Sequence, residues 1–556
     1  MKSKHVPVLI VGGGLSGLSS ALFLAKHNID YVLIERHPST AIHPKAGGIT
    51  FRTMELFREL GLEKSIRLAG KALENCHGRI AVQTIAEVNN EELEHIRAIQ
   101  FENNEKLVRK VEEISPSKQT ACYQVTLEEM MLQYAKKLGG ELSFYHELVS
   151  FEQNENGVIA TIRDRKTEKE SVIHCDYVIA ADGAKSKIRE QLGIATEGRG
   201  TIGGYYMNIY FEADLSEFIQ GDAFGFSMVL HPEVIGALIP VDNVKKWIYH
   251  VAYDPLKGER PEDFTIERCK QIIRTAIGST NIESEILSVL PWEATESIAT
   301  KFQDNRIFLV GDSAHSMPPT GGFGSNTGMQ DAHNLVWKLA SVIKGQAKPN
   351  LLETYHEERY PVAKLTTDHA SSLLFRAANR EEGSLNNMDS LAVTAGYQYC
   401  SKAIIDDSAT PHRMDIVELN GRPGTRAPHF LGTYEGKKVS ILDLFGNNFV
   451  LLTGAENSLW TQAVQDVSPK LGVNIKMYRV GLNGDFIAQE NIFSKLYGIE
   501  NGGAVLIRPD GFIGWCSEKA VVNPNVVLGE VMGNLLCDFL NNYGSIVLYK
   551  TILLFF

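Results

Sequence analysis

The spacing of apolar residues changes period three times near the start of the chain. "VPVLIV" is an unbroken apolar run of strand length, "GLSSALFLAKHN" repeats its apolar positions at helical spacing, and "YVLIE" is a second strand-like run. Strand, helix and strand in that order form a βαβ unit, which requires a parallel sheet. "FRTMELFRELGL" then reads as an amphipathic helix stopped at Gly61, and "TLEEMMLQYAKKLGG" as another. In the latter, Thr126 stands three residues before Glu129, which predicts a capping box.

From about Leu142 to Ala181 the pattern turns to strands: "FYHELVSFEQ", "GVIATIRD" and "SVIHCDYVIAAD". "GGYYMNIYFEA", "AFGFSMVL", "GALIPV" and "KWIYHVAY" predict an antiparallel sheet with one polar face, inserted as a layer that covers a substrate. "FTIERCKQIIRTAIG" supplies a helix after it. Past Lys402 a Pro/Gly-rich segment, "ELNGRPGTRAPHFLG", leads into a small α/β unit, in which "PDG" between two strand-like runs is a hairpin signal.

Composition narrows the partners. The 556 residues exceed one compact core, so several domains are expected. A formal net charge of −12, with no basic stripe, argues against nucleic acid. Seven scattered cysteines without a CxxC read as reduced intracellular thiols, and no metal-ligand spacing occurs. The basic, apolar N-terminus has the look of a signal peptide, but Gly12, Gly13 and Gly14 break the apolar run, so a cytoplasmic protein is expected. The apolar end "GSIVLYKTILLFF" is interrupted by Lys550 and shorter than the roughly 20 residues of a membrane span. It reads as a buried or disordered tail, with no membrane contact.

Three motifs carry chemistry. Gly12, Gly14 and Gly17 stand in GxGxxG register between strand and helix, and Glu35 ends the second strand, where a carboxylate can accept ribose hydroxyls. This signals a dinucleotide without separating NAD from FAD. "YVIAADGAKSKIREQLG" puts Asp182 and Gly183 at a strand end, with Ser186 and Arg189 following; alone it reads better as a strand-end turn capped by the aspartate. In "RIFLVGDSAHSMPPTGGFGSNTGMQDAHNLVWKLASVIK", a buried strand ends at Asp312, a side-chain-poor crossing includes Pro318 and Pro319, and a helix is expected to begin near Asn326. A helix N-terminus there could stabilise the negative charge of a reduced flavin, so the stretch reads as a flavin cradle.

Together these motifs resemble the single-component FAD-dependent aromatic hydroxylases, the para-hydroxybenzoate hydroxylase-like monooxygenases, over nearly the whole chain. "GRPGTRAPH", "LDLFGNNFVLL" and "VLIRPDGFIGW" are similar to the C-terminal thioredoxin-like domain of the polyketide and phenol hydroxylase branch. The resemblance implies an α/β architecture: a Rossmann-like FAD-binding domain, an inserted β-sheet substrate domain and a thioredoxin-like domain. Expected boundaries are 1–185 for the first FAD-binding part (with 75–120 adding to the substrate layer), 186–295 for the sheet, 296–405 for the second FAD-binding part, 418–545 for the thioredoxin-like domain and 546–556 for the tail.

The resemblance also implies roles. Gly12, Gly14 and Gly17 would hold the FAD pyrophosphate, Glu35 the adenosine ribose, Asp312 the ribityl chain, and the backbone of Pro319, Gly322, Gly324, Ser325 and Asn326 the isoalloxazine. Gln124 matches an FAD-contacting glutamine, and Asp182, Gly183 and Arg189 a motif linked to FAD and NAD(P)H. Lys45 stands where the family usually carries arginine, which keeps the charge but loses the bidentate fork. NADPH or NADH would reduce FAD, O2 would add, and a flavin C4a-hydroperoxide would transfer oxygen to a small-molecule aromatic or polycyclic polyketide-type substrate. No catalytic residue is implied; His315 is a weak candidate that more readily orders its loop. Arg52, Tyr206, Tyr210 and Phe226 are candidates for the substrate pocket. The loop "TGAENSLW" carries no paired thiols, so the thioredoxin-like domain is expected to be structural or oligomerising, compatible with a homodimer. A flavin reductase or dehydrogenase, a flavin-loaded binding protein, and an antibiotic-inactivating monooxygenase are the alternatives on this fold.

Overall fold

The computed structural model describes residues 3–74, 76, 79–88, 105–219, 225–379, 390–406, 420–455, 459–500 and 502–537. The apolar tail, part of the 75–120 segment and the start of the Pro/Gly-rich segment lie outside these residues. The chain divides into two compact units. The first comprises residues 1–25, 30–332 and 363–387; the second comprises 26–29, 333–362 and 388–556.

The first unit is built on the expected βαβ element: β1 (Ser3–Val11), α1 (Leu15–Lys26) and β2 (Tyr31–Glu35). After α2 (Phe51–Glu59) and α3 (Gln124–Lys137) come β3 (Glu141–Phe144), β4 (Glu170–Ala180) and the short α4 (Lys187–Gln191). With β9 (Ile307–Leu309), which follows the second sheet in the chain, the parallel path runs β9–β4–β1–β2–β3. Val8, Leu9 and Ile10 are wholly buried, as are Ile307, Phe308 and Leu309, which is why these strands read as unbroken apolar runs. Because all five strands point the same way, Gly12, Glu35, Asp182 and Asp312 emerge at one carboxyl edge.

A second, largely antiparallel sheet contains β5 (Thr196–Glu212), β6 (Gly236–Pro240), β7 (Lys246–Tyr253) and β8 (Glu285–Ala299), in the order β8–β5–β7–β6, extended by Phe226–Val229 and Arg79–Val82. Its two faces differ sharply. Met207, Ile209, Phe211, Leu238, Tyr249 and Val251 are buried against α5 (Ile266–Ile277). Thr265 caps that helix, and its Cys269, Ile272, Ile273, Ala276 and Ile277 pack inward. Tyr206, Asn208 and Tyr210 alternate onto the other face, with Ser288 and Trp292 of β8 beside them.

Two local expectations fail. α3 begins at Gln124 behind Tyr123 with no side-chain cap, so Thr126 lies inside the first turn and forms no capping box. The long helix α6 (Phe323–Ile343) begins three residues before Asn326. Gly321 and Gly322, both at positive φ, turn the chain early enough for Phe323 to be helical. The following helix, α7 (Thr354–Asn379), runs on through Pro361.

The second unit contains β10 (Phe449–Gly454), α8 (Leu459–Leu471), β11 (Ile475–Val480), β12 (Ala504–Ile507), β13 (Ile513–Ser517) and α9 (Pro524–Leu535). The sheet order is β11–β10–β12–β13, parallel between β10 and β11 and antiparallel elsewhere, which is a thioredoxin-like arrangement. The hairpin at Asp510 and Gly511 falls where the "PDG" turn predicts it.

Candidate active site

The N-terminal fingerprint closes on itself as a dinucleotide turn requires. Gly12 has φ +112°, and a Cβ there would overlap the Ala181 carbonyl. A Cβ on Gly17 would overlap the Gly12 carbonyl oxygen, so α1 packs this tightly on the turn only with glycine. The ideal Cβ position of Gly14, by contrast, has only Glu128 Oε1 nearby, at 3.8 Å, which leaves its backbone open to a phosphate. Glu35 accepts from the Gly13 N–H at 2.7 Å and the His37 N–H at 2.7 Å, which fixes its carboxylate at the strand end. Gly12, Glu35, Arg36, Asp182, Gly183 and Lys185 border a cleft of about 560 Å³ at this edge.

The later motifs meet the first there. Asp182 accepts from Ser186 Oγ (2.6 Å) and the Ile188 N–H (3.2 Å), so its carboxylate caps α4. Arg189 on that helix donates to the Ala184 carbonyl (2.9 Å) and the Ser313 carbonyl (2.7 Å), joining the Asp182–Gly183 turn to the turn that carries Asp312. Asp312 is exposed yet surrounded by dense protein; burial pushes its carboxyl up, opposed by His315 and Lys45. Lys45 is exposed, and its charge also acts on Glu128 and His43. Gln124 donates to Glu128 at 2.6 Å, and Glu128 also accepts from the Ala41 N–H at 2.8 Å.

Pro319 is exposed, and Gly322, Gly324 and Ser325 are partly exposed around the start of α6. Asn326 is buried: it donates to the carbonyls of Gly322 (2.7 Å) and Gly48 (3.0 Å) and accepts from the Thr50 N–H (3.0 Å). Its side chain therefore fastens the helix start to the Gly48–Thr50 segment, leaving only its backbone for a ligand. A Cβ on Gly328 would overlap both Ser16 Oγ and Gly311 Cα, so α1, the Asp312 turn and α6 converge at this glycine. His315 is fully buried, with Nε2 2.6 Å from Asp331, which also accepts from the Gly311 N–H at 3.1 Å. It orders the turn beneath Asp312 and does not line the cleft.

Open glycine backbone, a fixed carboxylate at the second strand, an exposed carboxylate at Asp312 and a cation at Lys45 fit FAD. The sequence matches a family described as FAD binding domain over residues 5–370. It matches a second, aromatic-ring hydroxylase C-terminal, over residues 420–535. The chain belongs to the FAD-dependent aromatic-ring hydroxylases. It is 38% identical over 553 residues to the tetracenomycin A2 monooxygenase-dioxygenase of Streptomyces glaucescens, covering 96% of this chain and 97% of that one. It is 38% identical over 547 residues to the 4-methyl-5-nitrocatechol 5-monooxygenase of a Burkholderia species, covering 96% and 98%. Among solved structures, aklavinone-11 hydroxylase in a ternary complex with FAD and aklavinone superposes with a TM-score of 0.84 at 32% identity, covering 97% of this chain and 100% of that one. The protein is an FAD-dependent monooxygenase.

The substrate candidates of this hydroxylase separate. Tyr206 stacks on Trp292, with centroids 4.8 Å apart at 16°, and Tyr210 meets His43 edge-on at 5.9 Å. Both tyrosines share the sheet face opposite the α5 core, and burial raises both phenols. Phe226 lies three strands from β5, near the far edge of the sheet. Arg52 is a correction: it is buried and its guanidinium is paired with Glu55 at 2.9 Å, so its charge is taken up within the protein. Sequence reasoning missed Glu128, Asp331, Gly328, His43, His250 and Trp292. Of these only Glu128 left a trace, four residues after Gln124 on one helix face.

His43 is buried on this face, its Nδ1 bonded to Ser288 Oγ. Its Nε2 and Asn208 Oδ1 have no aligned hydrogen bond, although Asn208 lies close enough to favour the protonated ring. Burial dominates and lowers the His43 pKa, with Lys45 adding to the effect. No helix among the described residues is long and apolar enough to cross a membrane.

Proposed function

We propose that this hydroxylase inserts one oxygen atom into a planar, polycyclic phenol of the polyketide type, taking electrons from NADPH or NADH and oxygen from O2. The observation that carries this reading is the half-open aromatic face of β5 and β8, lined by Tyr206, Tyr210 and Trp292, in the same unit as the FAD-binding turns. The names of the relatives support it: two act on tetracenomycin-type and nitrocatechol substrates, and a structural neighbour holds aklavinone.

In this reading the Gly12–Gly14 backbone and Lys45 hold the pyrophosphate, Glu35 the adenosine ribose, and Asp312 the ribityl hydroxyls. Arg189 braces the turn that carries Asp312, and Asn326 fixes the start of α6, whose N-terminal backbone offers N–H groups to the flavin ring. Bound there, FAD supplies reduction by a nicotinamide and activation of O2 for transfer to an aromatic ring. The β5–β8 face orients the substrate plane and excludes water.

The test is oxygen uptake by FAD-loaded enzyme with NADPH or NADH and a panel of polycyclic phenols. Uptake that requires one of the phenols and yields a product sixteen mass units heavier (the mass of one oxygen atom, to about one unit) supports the reading. Uptake independent of any phenol, ending only in peroxide, refutes it.

A further inference from the structure

We propose that His250 is a fixed, uncharged hydrogen-bond donor on the substrate face, made so by Trp292, and that it selects aromatic substrates carrying a ring carbonyl or quinone oxygen. The inference rests on the proposed function above and names the chemical feature that the face recognises.

His250 lies on β7 directly opposite Asn208 of β5 and Ala237 of β6, within the Tyr206–Asn208–Tyr210 face. Trp292 Nε1–H donates to His250 Nδ1 at 3.2 Å, and the two rings stand edge-on at 79°. An indole nitrogen can only donate, so Nδ1 must be the unprotonated nitrogen and the single ring proton resides on Nε2. The indole is itself held by its stack on Tyr206. Protonating His250 would set one N–H against another. Burial, with His43 contributing, pulls its pKa down to about 4, in agreement with that geometry.

His250 is only partly exposed, and among the described residues no acceptor meets its Nε2–H. Beside it the face presents Tyr206, Tyr210, Leu290 and Trp292, which suit an aromatic plane. The titratable group that acts on it is His43, on which Lys45 acts in turn; Tyr206 and Tyr210 of β5 share its face, and both phenols are raised. Lys45 is offset by Asp312 and Glu128. A neutral donor among aromatic rings matches a neutral oxygen acceptor on the substrate rather than a carboxylate.

The test is equilibrium dialysis of FAD-loaded, oxidised enzyme against two probes of the same shape, 1-hydroxyanthraquinone and 1-hydroxyanthracene. Wild type binds the quinone more tightly. His250→Leu weakens the quinone about tenfold and the anthracene less than about threefold, the loss of one hydrogen bond. His250→Gln, which keeps a donor at the same reach, retains the preference. Trp292→Phe removes the N–H that fixes the ring proton on Nε2, so its quinone preference falls below that of wild type. Equal weakening of both probes by His250→Leu, no quinone preference in wild type, or an undiminished preference in Trp292→Phe overturns the proposal. Phenol-dependent oxygen uptake is read on the wild-type enzyme and does not depend on these binding outcomes, so failure here is distinct from failure of the proposed function.

Discussion

Glu358 is the side chain whose neutralisation should cost the second unit most. Its carboxylate accepts from Lys338 Nζ (2.9 Å), Arg508 Nη1 (2.6 Å) and Nη2 (2.9 Å), Asn334 Nδ2 (2.7 Å) and Ser401 Oγ (2.6 Å). Asp510 balances the remaining charge on Arg508, bonding its Nε at 3.1 Å and accepting from Trp337 Nε1 at 3.2 Å. Lys338, Glu358, Arg508 and Asp510 have essentially no exposed side chain, and two cations face two carboxylates. The neighbouring cations hold Glu358 well below the usual carboxylate range despite its burial. Burial pulls Lys338 down to about 8, with Glu358 pulling the other way, so both are charged at neutral pH.

Glu358→Gln leaves one buried cation unmatched and turns an amide N–H₂ toward groups that themselves donate. Breaking a buried pair from one side costs about 3–5 kcal/mol. At about 2–4 °C per kcal/mol for a unit of this size, melting should fall by about 10 °C. Adding Lys338→Met restores the charge balance and should recover part of that loss. The assay is thermal and urea unfolding of the FAD-loaded enzyme followed by tryptophan fluorescence, since Trp337 and Trp460 lie in this unit. A single variant within about 1 kcal/mol of wild type, or a double variant less stable than the single, would show that the buried charges are not balanced in this way.

Two further outcomes follow from the first unit. Asp312→Ala should purify without its yellow colour and regain little FAD on dialysis against excess cofactor; stoichiometric FAD in the variant would remove Asp312 from the site. His250 is held to about 4 against about 6.5 in an unfolded chain, so the unfolded state binds more protons between those values. Its contribution is complete above about pH 6.5 and falls by up to about 3 kcal/mol as pH drops toward 4, with His43 acting in the same direction. Urea midpoints measured from pH 7.5 to 4.5 should decline through this window, and His250→Leu should flatten the decline.

Features set by neighbours in sequence were legible. The apolar periods gave β1, α1 and β2, GxGxxG gave the turn, and "PDG" gave the last hairpin. The alternating strands from Gly203 to Tyr253 form the antiparallel sheet they predict. What failed depended on partners far along the chain. Arg52 resembles a substrate cation until Glu55 and Ser115 are seen beside it: Ser115 Oγ bonds Glu55 from sixty positions away. The backbone role read for Asn326 stands open, but the task of its amide was not legible, since it bonds Gly48 and Thr50 more than 270 positions earlier. Nothing in the spacing of His43, His250 and Trp292 marks them, because strand pairing alone brings β5, β7 and β8 together. The early start of α6 follows from two left-handed glycines whose conformations composition does not reveal.

The most direct test of the central claim is turnover under ¹⁸O₂ of FAD-loaded enzyme with NADPH and a polycyclic phenol it consumes. One labelled oxygen atom should enter the aromatic product for each nicotinamide oxidised. Product without label, or nicotinamide oxidation that yields only labelled peroxide whichever phenol is present, would contradict it.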